Sequence, residues 1–250
     1  MPTVAELTAL YGNFLLGPRH GPGVCRECLN LTDGYDRCYA CTRLEPWLDA
    51  MSAISYSIAH EQLHHALAGY KRSPAEVADR FAIELAAILW RHLAGHEVCL
   101  AHAARIDRFE LVTVVPSSTR EREGSHPLPR IVGELTGATR TRFQTLLRRS
   151  RAPVAPREFS AAKYQATGTL NGRSVLLIDD TWTTGANAHS AAAALKAAGA
   201  GPVAAVVIGR HVNREWRRND RHLRALTSPF DWERCCNCAP SAVDQPPRKT

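Results

Sequence analysis

Residues 174–180 read Ser-Val-Leu-Leu-Ile-Asp-Asp, with four consecutive apolar residues before the aspartates. Two other stretches share this unbroken apolar character: Glu-Leu-Val-Thr-Val-Val-Pro at 110–116 and Pro-Val-Ala-Ala-Val-Val-Ile-Gly at 202–209. A strand that is apolar on both faces cannot lie against water on either side. It needs helices above and below, and a parallel sheet whose crossovers are helical supplies them. Residues 186–199 have helical composition and fall between two of these strands. The expected fold class is therefore α/β, a parallel sheet flanked by helices.

The rest of the chain fits around that sheet. Val4, Leu7, Leu10, Tyr11, Phe14 and Leu15 recur at helical spacing, so 3–16 reads as a short amphipathic helix. The break Gly-Pro-Arg-His-Gly-Pro-Gly follows. A short strand is expected at 54–59 and a helix at 60–69. Ser73-Pro74-Ala75-Glu76 reads as a helix start, with Ser73 as the cap and Glu76 returning a bond to it. Val77, Phe81, Leu85, Ile88 and Leu89 mark the buried face of that helix. Residues 128–149 carry helical patterns interrupted near Gly137. Residues 150–168 contain prolines and little periodicity, so they read as a long loop. The last ten residues read as a disordered tail. With 250 residues, 45% of them hydrophobic, the chain can bury one sizeable core with a small appendage. The expected division is 1–50 for the N-terminal helix and a cysteine ribbon, 51–230 for the α/β domain, and 231–250 for a cysteine-containing tail.

Why would a buried strand end in two carboxylates? In open parallel sheets, ligands bind beyond the carboxyl ends of the strands. Thr183-Thr184-Gly185-Ala186-Asn187 would form a loop running into a helix. Backbone N–H groups at a helix N-terminus favour an anion. Gly185 lets the backbone approach it, and the threonine hydroxyls add donors. Asp179 and Asp180 suit hydroxyls or a Mg²⁺ ion rather than the same anion. A ribose 5-phosphate, with a phosphate and a vicinal diol, satisfies both demands.

The stretch resembles the phosphoribosyl-pyrophosphate (PRPP) signature of type I phosphoribosyltransferases. There an apolar strand leads into two acidic residues and a Thr/Ser-rich glycine loop. The resemblance implies that Asp179 and Asp180 are catalytic and hold the ribose hydroxyls. Thr181, Thr183, Thr184, Gly185, Ala186 and Asn187 would complete the PRPP site, with Mg²⁺ accompanying the ligand. Asn187 stands where the family usually has threonine or serine, and its amide can still donate.

Cys25-Arg-Glu-Cys28 and Cys38-Tyr-Ala-Cys41 form two C-x2-C knuckles nine residues apart. Cys25, Cys28, Cys38 and Cys41 suit tetrahedral Zn²⁺. An iron–sulfur centre and a redox pair are the alternatives. A ribbon too small for its own core would draw folding free energy from the metal. Cys235, Cys236 and Cys238 stay open between a second metal site, a contribution to the first and surface thiols. Cys99, in an apolar setting, reads as core.

The four-cysteine ribbon, then His-His-Ala-Leu-Ala-Gly-Tyr-Lys-Arg-Ser (64–73), Val-Thr-Val-Val-Pro-Ser-Ser (112–118) and the PRPP signature together resemble the ComF family. These are phosphoribosyltransferase-like proteins linked to DNA uptake in competent bacteria. The likeness covers roughly 20–212. It implies a type I phosphoribosyltransferase-like fold and a pyrophosphate site formed by Lys71, Ser117, Ser118, Arg120 and Arg157, with Lys163 also within reach. Arg122-Glu123-Gly124-Ser125-His126 stands in place of the family's Arg-Gly-aromatic-Asn run. Residues 150–168 occupy the place of a mobile hood over PRPP, or are a plain connection. The implied activity is transfer of phosphoribose to a nitrogenous base or amine with release of pyrophosphate. The alternative is a non-catalytic PRPP or nucleotide binder, or a DNA-uptake accessory protein.

The net charge of +7 is concentrated in arginine clusters at 139–157 and 209–224. These suit phosphates, free or in nucleic acid, or form a basic solvated surface. No apolar run is long enough for a membrane span, and the N-terminus lacks the features of a signal peptide. The expected compartment is the cytoplasm, where disulfides are rare. Expected partners are PRPP or a ribose 5-phosphate ligand, with nucleic acid and a homodimer both left open.

Overall fold

The central strands alternate their side chains into two separate apolar layers. This computed structural model describes residues 2–117 and 126–238. The described strands are β1 (Ala50–Ile58), β2 (Leu111–Val114), β3 (Leu147–Arg149), β4 (Tyr164–Ala166), β5 (Val175–Trp182) and β6 (Val203–Val212). The described α-helices are α1 (Val4–Ala9), α2 (Tyr39–Arg43), α3 (Gln62–Arg72), α4 (Ala75–Ala103), α5 (Leu128–Arg130), α6 (Ala186–Ala197) and α7 (Asn219–Ala225). Four strands form a parallel sheet in the order β1-β6-β5-β2. Leu176, Ile178, Ala204, Val206 and Ile208 face α3 and α4, where they meet Leu63, Leu67, Leu85, Ile88 and Leu89. Val175, Leu177, Val203, Ala205 and Val207 face the other way, onto Ala188, Ala191, Ala192 and Leu195 of α6. Each large aliphatic side chain so buried contributes roughly 1.5–3 kcal/mol. The expected helix-flanked parallel sheet is the one observed.

The cysteine ribbon is not packed apart from this sheet. Cys25, Cys28, Cys38 and Cys41 lie in the same apolar layer as α6 and the β5 and β6 residues facing it. Among the described residues, no helix is long and apolar enough to cross a membrane.

Several local expectations change. The first strand begins at Ala50, not Ile54, because β1 runs alongside the central strand β6 in register from Ala50 opposite Ala204. The N-terminal helix stops at Ala9, a 3-10 turn follows over Leu10–Asn13, and Leu10 is exposed rather than on a buried face. Ser73 ends α3 instead of capping α4, whose N-cap is Pro74 without a side-chain bond. Val77 is exposed in the first turn of α4, and the helix continues to Ala103, with no proline in 90–103 to stop it. The helical pattern of 128–149 gives only α5 and a π turn at Ile131–Leu135. Beyond it, turns over 137–142 lead to Phe143, which bridges Val112 in parallel. Val112 N–H donates to the Arg142 carbonyl (3.0 Å) and Gln144 N–H to the Val112 carbonyl (2.9 Å). An open sheet edge thus outcompetes helical spacing, because β2 would otherwise leave its backbone groups unpaired. The supposed loop 150–168 is bounded by an antiparallel pair, β3 with β4.

Candidate functional site

Strand β5 runs through both aspartates to Trp182 before the chain turns into α6. The turn is made at Gly185, in the left-handed region at φ 85°. A Cβ there would lie 2.4 Å from Cζ2 of Trp182, so the position admits only glycine on two grounds, backbone strain and contact. Trp182 is buried beneath the turn and stacks edge-on against His189 of α6. Sequence reasoning passed over Trp182, whose indole forms the floor of the loop. Thr184 Oγ1 accepts the Ala186 N–H at 3.3 Å. The remaining N–H groups of the first turn of α6 have no intrahelical acceptor.

Around this turn lies a pocket of about 190 Å³ lined by Asp179, Thr181, Thr183, Thr184, Asn187 and Arg157, along with the backbone of Gly185 and Ala186. That is below the ~300–1,000 Å³ of an ordinary small-molecule site, and its walls are hydroxyls and amides rather than apolar side chains. Asn187 has its Oδ1 buried with no hydrogen-bond partner among the described residues. Half a turn about its last torsion exchanges oxygen for nitrogen and would offer a donor to an anion.

The two aspartates divide their roles because neighbouring strand residues face opposite sides of a sheet. Asp179 lines the pocket, and its Oδ1 accepts the Asp180 N–H at 2.9 Å. Asp180 faces α3 and is buried. There its Oδ2 accepts the Tyr70 hydroxyl proton and pairs with the Lys71 ammonium, and His126 Nε2 lies 3.9 Å away. Burial followed by the Asp180 charge pushes the Asp179 carboxyl up to about 8. Burial would also raise Asp180, but Lys71, His126 and Tyr70 together outweigh it and hold that carboxyl below the usual range. One carboxyl of the pair is thus fixed as an anion, and the other is poised near neutrality.

Other anticipated residues fall differently. Lys71 is at the site, but on Asp180. Arg157 reaches the pocket. Ser117 immediately follows Pro116, past the end of β2. Ser118 and Arg120, with 121–125, lie outside the described residues. Lys163 does not reach toward a ligand. It is buried, and its ammonium donates to the carbonyls of Ala155, Pro156 and Glu158 at 2.7–3.0 Å. Three donors on three carbonyls leave none for an anion, so Lys163 shapes the loop that carries Arg157. Tyr70 was not foreseen, though it sits beside Lys71 in the sequence.

The first cysteine cluster is assembled as the spacing implied. The four Sγ atoms of Cys25, Cys28, Cys38 and Cys41 lie within 4.8 Å of one another and all four residues are buried. They could hold a metal ion such as zinc. Leu29, directly after the first knuckle, adopts φ 58°, and its N–H donates to the Cys25 carbonyl at 3.0 Å. A leucine in that conformation costs about 1 kcal/mol, which the closed knuckle must outweigh. Arg210 joins this cluster to the pocket. It is 2% exposed, donates to the Cys28 carbonyl (2.8 Å) and Sγ (3.6 Å), and reaches the Trp182 carbonyl at 3.1 Å. Arg210 therefore does not belong to the solvated basic face expected of 209–224. Cys99 is half-buried against Cys238 rather than in the core.

No family model matches this chain, and no curated protein matches it significantly.

Proposed function

We propose that the chain is a phosphoribosyltransferase-like protein of the ComF type that binds Mg-PRPP. The observation that carries this reading is the pocket at the start of α6. There a strand-end carboxylate, a glycine turn and the open N–H groups of a helix face one small polar cavity. A phosphate on the helix start and a ribose hydroxyl on Asp179 use both features at once. Mg²⁺ carried in with the ligand would neutralise pyrophosphate charge, and Asp179, which lines the pocket, would be the carboxylate to meet it. Arg157 supplies a cation on the same side. The reaction supported is displacement of pyrophosphate from the anomeric carbon by a nitrogen nucleophile, helped chiefly by positioning and charge stabilisation. Calorimetry with PRPP and Mg²⁺ tests it. Saturable binding with competition by ribose 5-phosphate is expected, and indifference to millimolar PRPP sinks the reading. Pyrophosphate release across a panel of bases then separates an enzyme from a sensor.

A second reading, contact with single-stranded nucleic acid, rests on a different surface. Tyr35, Tyr39 and Trp216 are exposed around a groove of about 580 Å³ that Arg37 and Arg217 also line. Arg43 stacks over Tyr39 at 4.3 Å, and Arg217 lies over Trp216 at 5.9 Å. Exposed rings among cations are what unstacked bases bind, at about 1–3 kcal/mol per base. Replacing Arg217, Arg218 and Arg221 by alanine is expected to flatten the salt dependence of oligonucleotide binding by about 0.7 in log–log slope per lost phosphate contact. Trp216→Ala is expected to weaken binding about tenfold with the slope kept. A fluorescence-anisotropy titration at low salt that shows no binding dismisses this reading.

A further inference from the structure

We propose that His96, Cys99, Cys235 and Cys238 form a second tetrahedral zinc site, which staples the C-terminal cysteine knuckle onto helix α4. The Cys235-Cys236-Asn237-Cys238 run supplies too few ligands to close a site alone. The fold completes it with two residues one turn apart on α4. Their ligand atoms, with those of Cys235 and Cys238, all lie within 4.8 Å of one another.

The separations fit a metal tetrahedron. Zn–S bonds of about 2.3 Å imply S···S edges of ~3.8 Å, and a Zn–N bond of about 2.0 Å implies S···N edges of ~3.5 Å. The observed edges are 3.5 Å for Cys235–Cys238 and 3.8 Å for Cys99–Cys238. His96 Nδ1 lies 3.6 Å from the Cys238 sulfur and 3.9 Å from that of Cys99. A disulfide would need sulfurs about 2.05 Å apart, so these are spaced as ligands and not as a bonded pair.

The surroundings are arranged for the same purpose. His96 Nε2 lies 2.9 Å from the Trp232 carbonyl. Donation of its proton there leaves the Nδ1 lone pair facing the thiols, as a metal-binding imidazole requires. The knuckle turns its own amides onto its sulfurs: Cys235 N–H to Cys238 Sγ at 3.2 Å, and Asn237 N–H to Cys235 Sγ at 3.3 Å. Such bonds favour thiolates. Cys236 is set apart, with its thiol buried 3.5 Å from the Ser52 hydroxyl. It packs the knuckle against β1, and the Asn237 amide assists by donating to the Met51 carbonyl at 3.1 Å.

Cys99 and Cys238 are 139 residues apart in the chain. A metal joining them closes a loop that contains β2, the whole PRPP-like pocket and β6. Cross-links that close long loops remove the most chain entropy from the unfolded state. The ribbon at 25–41 has its own four ligands, so the two sites load independently.

Zinc analysis of the full chain, purified under reducing conditions, is expected to give about two equivalents. Cys238→Ser lowers this to about one, and Cys236→Ser leaves it at two. A single equivalent in the wild type that vanishes in Cys28→Ser overturns the proposal, as does zinc unchanged in Cys238→Ser. Because the serine variant can fail to fold, zinc-edge X-ray absorption of the wild type provides a separate reading. Sulfur ligation with a nitrogen contribution is expected, and an all-sulfur shell overturns the proposal.

Discussion

Cys28→Ser is expected to abolish zinc binding at the N-terminal ribbon and to lower the melting temperature of the whole chain by more than 10 °C. Structural zinc in small knuckles contributes about 10–16 kcal/mol of apparent binding free energy, comparable to the ~5–15 kcal/mol stability of an entire domain. The loss is not confined to the ribbon, because its cysteines share an apolar layer with β5, β6 and α6. Arg210 spreads it further. A cluster of four thiolates around Zn²⁺ carries net negative charge, and Arg210 is the buried cation that touches it through Cys28. Without the metal, that guanidinium loses its reason to be buried, and it also holds the Trp182 carbonyl beneath the glycine turn. Chelation is therefore expected to weaken PRPP binding as well, although no ribbon cysteine lines the pocket. Metal analysis, circular dichroism melts and calorimetry on the same preparation check all three. Zinc content in Cys28→Ser equal to that of wild type, or a melt within about 2 °C of wild type, contradicts the assignment.

The sheet was legible because its signal is local and strong. Unbroken apolar runs at 110–116, 174–180 and 202–209 have one stable environment, and each became a parallel strand flanked by helices. The first cysteine cluster was legible because both C-x2-C pairs lie close together in the chain. What escaped was long-range. His96 and Cys99 sit at ordinary helical spacing in α4, and nothing local marks them until the chain returns at Cys235. The arginine cluster at 209–224 looked uniform, yet Arg210 is buried while Arg214 pairs with Glu61 and Asp220. Residues 142–144 kept helical spacing but went to the edge of β2, because the unpaired sheet edge offered more than intrinsic preference, and 147–149 paired with β4 instead. The two aspartates were readable as a pair. Their opposite orientations follow from strand alternation, which the sequence also contained once β5 is extended to Trp182.

That division makes the two aspartates separable by substitution. Above pH 8, where its carboxyl is ionised, Asp179→Asn is expected to weaken Mg-PRPP about ten- to a hundredfold, the effect of losing an ionised hydrogen-bond acceptor worth roughly 1.5–3 kcal/mol. It is not expected to harm the fold. A carboxyl raised from 3.8 to about 8 in the folded protein contributes stability that is complete below pH 3.8 and lost as pH rises through 8. Removing its charge therefore leaves stability unchanged in acid and raises it above pH 8. Wild-type affinity should climb between pH 6 and 9 as Asp179 ionises, and the Asp179→Asn profile should lack that climb. Asp180→Asn acts oppositely. Its carboxyl is held below the usual range, so its stabilisation is present above pH 3.8 and lost as pH falls through the lowered value. Removing it leaves Lys71, whose side chain is only 18% exposed, without its counter-ion. Breaking such a pair costs about 3 kcal/mol, or ~10 °C in melting temperature for a chain of this size. Lys71→Met in the same molecule is expected to recover part of that loss, since it removes the stranded charge. Thermal melts and calorimetry of the two single variants and the double variant decide the matter. Equal melting of Asp179→Asn and Asp180→Asn would show that the strand end does not separate a ligand-facing carboxylate from a structural one.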